Sequence, residues 1–87
     1  QAEDRAHSVQ LANQSRYGLG AALFTDDLES AQRVAHHELD CGYVVVNDAV
    51  VSDPRLPFGG EKSSGVGREL GPLGIREFTN PKTICIH

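Results

Sequence analysis

The sequence predicts an α/β fold built around one βαβ unit, and three features point there. Ala21-Ala22-Leu23-Phe24 is a short apolar run of strand length. Leu28, Ala31, Val34, Ala35 and Leu39 share one face of a helix ending near Asp40. Tyr43-Val44-Val45-Val46 is β-branched, aromatic and nearly all apolar, the strongest strand signal in the chain. Two strands joined through a helix of roughly thirteen residues lie parallel, with a right-handed crossover. A continuous apolar strand requires cover on both faces. The helices in this chain supply part of that cover at best.

The remaining elements follow from local pattern. Ala2, Ala6, Val9 and Ala12 recur at helical spacing over residues 2–14, with Leu11 widening the stripe, and Glu3 and Asp4 suit the positive end of the helix dipole. Tyr17-Gly18-Leu19-Gly20 breaks the pattern before the first strand. Asp26 with Glu29 has the spacing of a helix cap ahead of the second helix. Gly42 stops that helix. From Asp48 to Gly71 a long irregular segment rich in Gly and Pro follows, and loops beyond about 12–15 residues in compact domains are usually functional or disordered. A short helix over Pro72–Phe78 comes next. Lys82-Thr83-Ile84-Cys85-Ile86 alternates enough for a final strand.

Composition narrows the function classes. The chain has 87 residues, enough for one small domain that buries about 60–65% of its unfolded surface. Apolar residues make up 39% and charged ones 23%, a globular rather than disordered balance. The net charge of −4 argues against a nucleic-acid partner, which needs a basic face. No apolar run approaches the roughly 20 residues that span a bilayer, and no signal peptide opens the chain, so neither a membrane nor a secreted reading is favoured. Cys41 and Cys85 stand far apart and make no disulfide framework, which predicts reduced thiols and a cytoplasmic setting. There is no methionine, and residue 1 is glutamine. The simplest expectation is a piece excised from a longer protein.

Several short motifs fail on chemistry. Gly18-Leu19-Gly20 and Gly65-Val66-Gly67 have leucine, at 23 and 70, where a dinucleotide fingerprint needs its third glycine. Gly60-Glu61-Lys62-Ser63 resembles the end of a P-loop, but Glu61 would set a carboxylate beside the phosphates. His36-His37-Glu38 lacks the four-residue histidine spacing of a zinc helix, so surface histidines are the better account and no metal is expected. Cys41, at a helix–strand seam, reads as a packed thiol, and no His–carboxylate arrangement marks either cysteine as a nucleophile.

The informative stretch is Pro57-Phe58-Gly59-Gly60-Glu61-Lys62-Ser63-Ser64-Gly65-Val66-Gly67-Arg68-Glu69. Its glycines allow close backbone approach, and Lys62, Arg68 and Glu69 suit charge-assisted hydrogen bonds that pin a tight loop. This stretch strongly resembles the C-terminal part of the NAD(P)-dependent aldehyde dehydrogenase superfamily. All ten fixed positions of its P-F-G-G-x-K-x-S-G-x-G-R-E motif are met. Ala12 to Ala21 resembles the family's A-N-x-S-x-Y-G-L-x-A stretch, Gly42 to Asn47 its glycine-led V-x-V-N strand, and Gly74 to Ile86 its closing helix and strand. The loop Asn47–Pro57 is most similar to bacterial succinate-semialdehyde dehydrogenases.

The resemblance implies a C-terminal portion of the aldehyde dehydrogenase catalytic domain. Residues 1–81 would be a partial catalytic domain and 82–87 a C-terminal oligomerisation strand. In the family a cysteine thiolate attacks the aldehyde carbon, a hydride passes to NAD or NADP, and a glutamate activates the hydrolytic water. All three parts lie upstream of the region this chain resembles, so no catalytic or cofactor-binding residue is expected in it. The resemblance assigns Ser52 to the substrate tunnel, where a hydroxyl suits an anionic acyl tail. It places Phe58 in the same tunnel as an apolar contact, with Val50 a weaker candidate. Arg55 reads as a surface arginine. Asn47 would brace the loop through backbone hydrogen bonds. The tail would add to a neighbouring subunit's sheet in a homo-oligomer. The isolated chain should therefore associate through Ile84 and Ile86, and a clean monomer by sedimentation at high concentration would refute this.

Two readings remain open from sequence. One is part of an enzyme that oxidises succinate semialdehyde or a similar semialdehyde. The other is a non-catalytic, stand-alone remnant that serves as an assembly or partner-binding module. An in-frame stop immediately before Gln1 would favour the second.

Overall fold

A computed structural model describes all residues, Gln1–His87. The first helix, α1, covers Arg5–Asn13 rather than 2–14, because Asp4 takes the N-cap position and its carboxylate accepts the His7 amide at 2.8 Å. Ala2 and Glu3 therefore precede the helix. Two short strands follow, β1 at Tyr17–Gly18 and β2 at Gly20–Leu23. The second helix, α2 (Leu28–His37), begins one residue later in its cap than the spacing predicts. Asp27, not Asp26, accepts the Ser30 amide at 2.9 Å. Both aspartates have a polar residue three positions on, but Asp27 directly precedes the apolar face. The helix also stops short of Asp40, with Glu38 as its C-cap.

Tyr43–Val46 forms β3, parallel to β2 in the register Gly20↔Tyr43 through Leu23↔Val46. The βαβ reading and its parallel pair are therefore present. α2 packs on β3 and buries Ala31 and Val34. β3 itself stays half-buried throughout. One face of the pair is covered by this helix, as an apolar strand requires, and the chain provides no second layer of comparable size.

The segment expected to be irregular contains a strand that periodicity does not announce. Glu61–Lys62 is β4, antiparallel to β1 with Tyr17 opposite Lys62 and Gly18 opposite Glu61. Two-residue strands carry no alternation, so only the tertiary fold reveals them. Phe58 and Glu69 add a bridge through reciprocal amide–carbonyl bonds of 2.8 and 2.7 Å. The third helix, α3, covers Gly71–Glu77, one residue earlier at both ends than Pro72–Phe78, with Pro72 in its first turn, where no amide is needed. Residues 80–87 form no ladder within the chain and are exposed.

The core is thin. Five residues of 87 are buried: Gly18, Ala31, Val34, Gly60 and Gly74, so only two apolar side chains are fully covered. Phe24, Ile75 and Phe78 are 74%, 71% and 89% exposed. The radius of gyration is 16.5 Å, against about 12 Å for a compact domain of this length. Ordering each residue costs on the order of 1–2 kcal/mol of conformational entropy. Two buried apolar side chains do not offset that, so these residues do not hold their fold by a core of their own. No helix is long and apolar enough to cross a membrane.

Candidate functional site

The loop that leaves β3 starts with Asn47, whose φ of 58° is one that asparagine tolerates better than most side chains. Its amide donates to Leu23 O at 2.7 Å, continuing the β2–β3 ladder by one rung. The side chain then makes a second rung of its own. Oδ1 accepts the Thr25 amide at 2.8 Å, and Nδ2 donates to Thr25 O at 2.9 Å. The start of the loop is thereby fixed to the turn that enters α2.

The middle of the loop is a tight turn. Leu56 N donates to Asp53 O at 2.9 Å across Pro54 and Arg55. Asp53 Oδ1 accepts from Arg55 N and Nε, both at 2.9 Å, and Oδ2 accepts from Nη2 at 2.6 Å. The two-pronged guanidinium contact holds the Asp53 carboxyl below the usual carboxylate range and raises Arg55 above its ordinary value. With its folded value depressed, Asp53 adds to loop order above the ordinary aspartate range. That contribution fades as pH falls through and below the range.

The far end of the loop is the glycine-rich stretch, folded back on itself. Arg68 Nη1 donates to Gly67 O at 2.8 Å and Gly60 O at 3.1 Å, while Nη2 meets Glu61 Oε1 at 2.6 Å. Lys62, at φ 55°, reaches across to the end of α1. Its ammonium donates to Asn13 O at 3.0 Å and Ser15 O at 3.3 Å, and lies 3.7 Å from Asp40 Oδ2. A cation there complements the negative end of the helix dipole. Glu69 takes part through its main chain, in the bridge to Phe58, rather than through the charge-assisted bond its carboxylate suggested.

Three residues with structural roles went unassigned in the sequence. Ser64 Oγ accepts the buried Gly18 amide at 3.0 Å, tying the glycine loop to β1. Asn13 Nδ2 donates to Glu38 O at 2.6 Å and its Oδ1 accepts Asp40 N at 2.9 Å, closing the end of α2. Glu61, notable in the sequence only for spoiling a P-loop, is the partner of Arg68. An asparagine at the end of a helix is the only one of these signals visible without the fold.

The three tunnel candidates do not share one cavity within this chain. Phe58 packs edge-on against Tyr43, with centroids 5.7 Å apart at 65°. It lines a cavity of about 390 Å³ together with Leu19, Arg68, Glu77 and Phe78. Val50 covers the first residue of β2 instead, where a Cβ on Gly20 would lie 2.8 Å from Val50 Cγ1. Ser52 is exposed, between Val50 and the Asp53–Arg55 turn. Cys41 is half-buried, with Sγ 3.5 Å from Tyr43 O, and Cys85 is exposed on the tail. His36 and His37 are both exposed on the last turn of α2, their rings in contact at 4.5 Å.

Neither glycine pair offers a dinucleotide seat. Gly18 and Gly20 lie in β1 and β2, and Gly67 runs into the Phe58–Glu69 bridge, so neither makes the strand-to-helix turn that holds a pyrophosphate. These glycines do not fit that cofactor's phosphates.

The chain matches the profile of the aldehyde dehydrogenase family over residues 1–84. It is 53% identical over 81 residues to the succinate-semialdehyde dehydrogenase (NADP(+)) of Deinococcus radiodurans, covering 93% of this chain and 17% of that protein. It is 48% identical to the phenylacetaldehyde dehydrogenase of Pseudomonas fluorescens, covering 95% of this chain and 16% of that protein. The crystal structure of succinic semialdehyde dehydrogenase from Streptococcus pyogenes with NADP+ superposes with a TM-score of 0.85 at 42% identity, over 93% of this chain and 18% of that one. The chain thus spans about one-sixth of the length of the relatives it matches. Profile, sequence and superposition agree: the chain belongs to the aldehyde dehydrogenase family, and its fold is a portion of that family's α/β domain.

Proposed function

We propose that this chain is part of an NAD(P)-dependent aldehyde dehydrogenase that oxidises succinate semialdehyde or a similar semialdehyde, and that it supplies one wall of the substrate tunnel. The observation that carries the reading is the loop Asn47–Phe58. It is fixed at its start by Asn47 on Thr25 and at its end by Phe58 on Glu69, and it leaves Ser52 exposed between them. A hydroxyl on a fixed loop donates one directed hydrogen bond to a carboxylate tail without adding bulk. The semialdehyde activity named for two of the relatives supports the same substrate class. The nicotinamide group, when bound, accepts the hydride; this chain's residues act on the substrate's distal end.

Asn47, Lys62, Arg68 and Glu69 brace the loop in this reading. Lys82–Ile86 is the oligomerisation strand. Ile84 and Ile86 are 75% and 91% exposed beside backbone that has no ladder partner in the chain, which suits addition to a sheet of another subunit. The thin core supports part of a larger enzyme over a stand-alone binding module.

Ser52→Ala in the complete enzyme tests the proposal. Loss of a hydrogen bond to a charged group costs about 1.5–3 kcal/mol. The KM for a carboxylate-tailed semialdehyde should rise about tenfold or more, with kcat nearly unchanged. The KM for an uncharged aldehyde should stay as it was. Equal changes for both substrates, or none for either, would overturn the tunnel-wall reading. A preference for aromatic aldehydes would instead favour a phenylacetaldehyde-type substrate, for which the Tyr43–Phe58 aromatic pair offers contact.

A further inference from the structure

We infer that Asp53 and Arg55 are a positioning pair that fixes the backbone from which the Ser52 side chain projects, and that Arg55 is not itself the ligand for the substrate's carboxylate. The inference rests on the tunnel-wall reading of Ser52. An arginine three residues from a candidate carboxylate-binding serine invites assignment as the charge partner of the substrate. The geometry points elsewhere. The Nε–Nη2 edge of Arg55, the edge that grips a carboxylate with two parallel bonds, is already occupied by Asp53 at 2.9 and 2.6 Å. A second carboxylate arriving there would have to displace the first.

What the pair does accomplish is local. Asp53 directly follows Ser52, and its Oδ1 also accepts the Arg55 amide. The Asp53 side chain is thus held at three points, and with it the backbone that directly follows Ser52. The turn is not free to rotate as a body. Pro54 O accepts the Gly71 amide at 3.1 Å, and at Gly71, φ 60°, an added Cβ would lie 3.1 Å from Arg55 O. The turn is therefore seated on the first residue of α3. Exposure fits this role, since the Arg55 side chain is 85% exposed and Asp53 28%. The cation faces outward and the carboxylate faces the loop.

The two roles predict opposite results for Asp53→Ala in the complete enzyme. If Arg55 bound the substrate, removing Asp53 would release it and lower the KM for a carboxylate-tailed semialdehyde. As a positioning pair, Asp53→Ala and Arg55→Ala should each raise that KM about three- to tenfold, and the double variant should raise it no further. In every case kcat should stay within about twofold and an uncharged aldehyde should be unaffected. Arg55→Lys should behave as Arg55→Ala, because an ammonium lacks the planar fork. Asp53→Ala with a lowered or unchanged KM, in an enzyme where Ser52→Ala raises it, overturns this inference alone. An unchanged KM in Ser52→Ala overturns the tunnel-wall reading and this inference with it.

Discussion

Gly42→Ala should be the most damaging single substitution in this chain. Gly42 sits at the entry to β3, where its amide donates to Gly18 O at 3.0 Å. A Cβ there would stand 1.8 Å from Gly59 O and 2.8 Å from Gly59 C. Both are backbone atoms, so no rotamer change relieves the clash. Either β3 leaves β2, or the glycine-rich loop withdraws by on the order of 1.5 Å before ordinary contact returns. Overpacking that side chains can absorb costs about 1–3 kcal/mol. Here the cost should reach about 3 kcal/mol or more. Phe58 and Arg68 would move with the loop; on the proposed tunnel-wall reading, a 1 Å displacement of a positioning group can lower rate about a hundredfold. The check is the denaturation midpoint and kcat/KM of the complete enzyme, with Val66→Ala as control. Val66 is fully exposed and should change stability by less than about 0.5 kcal/mol. An unchanged midpoint in Gly42→Ala would mean that the loop does not seat on β3 as described.

The second large effect is expected at Asn47. Alanine removes both bonds to Thr25 and leaves a side chain in the left-handed region without the local compensation asparagine has. These bonds are partly solvated, so each contributes about 0.5–1 kcal/mol net. Adding roughly 1 kcal/mol for the backbone gives about 2–3 kcal/mol for Asn47→Ala. Two further variants separate the contributions. Asn47→Gly keeps the φ and loses the bonds, so it should fall between Asn47→Ala and the parent. Asn47→Asp keeps the acceptor for Thr25 N and should be milder than alanine. Denaturation midpoints of the four proteins give the order directly. Glycine as harmful as alanine would show that the backbone conformation contributes nothing.

Both predictions concern the same architectural fact, that the loop from Asn47 to Glu69 is a strap with several anchors. Its middle turn, where Asp53 grips Arg55, lies between the Asn47 clamp and the Phe58–Glu69 bridge. The order expected in the loop comes from those contacts rather than from repeating structure. That is why a segment of irregular sequence need not be mobile.

The sequence by itself determined the parallel pair, the helix between its strands and the family, but it set the helix stop at Gly42, whereas α2 ends at His37 with Glu38 as its C-cap. Alternation, helical period and β-branched runs are local signals, and Tyr43–Val46 and Leu28–Leu39 carry them strongly. The sequence also drew attention to Lys62 and Arg68, because charges among glycines have few uses other than binding main-chain carbonyls. Only the tertiary structure decided what those charges hold: Lys62 the end of α1, and Arg68 its own loop and Glu61. It alone paired Glu61–Lys62 with Tyr17–Gly18, set Ser64 on Gly18, and closed Asp53 on Arg55. Such contacts join residues up to forty-nine positions apart, as between Lys62 and Asn13. No periodicity encodes them: Asp53 on Arg55 is set within one local turn, and the long-range pairs depend on where two distant backbones come to lie.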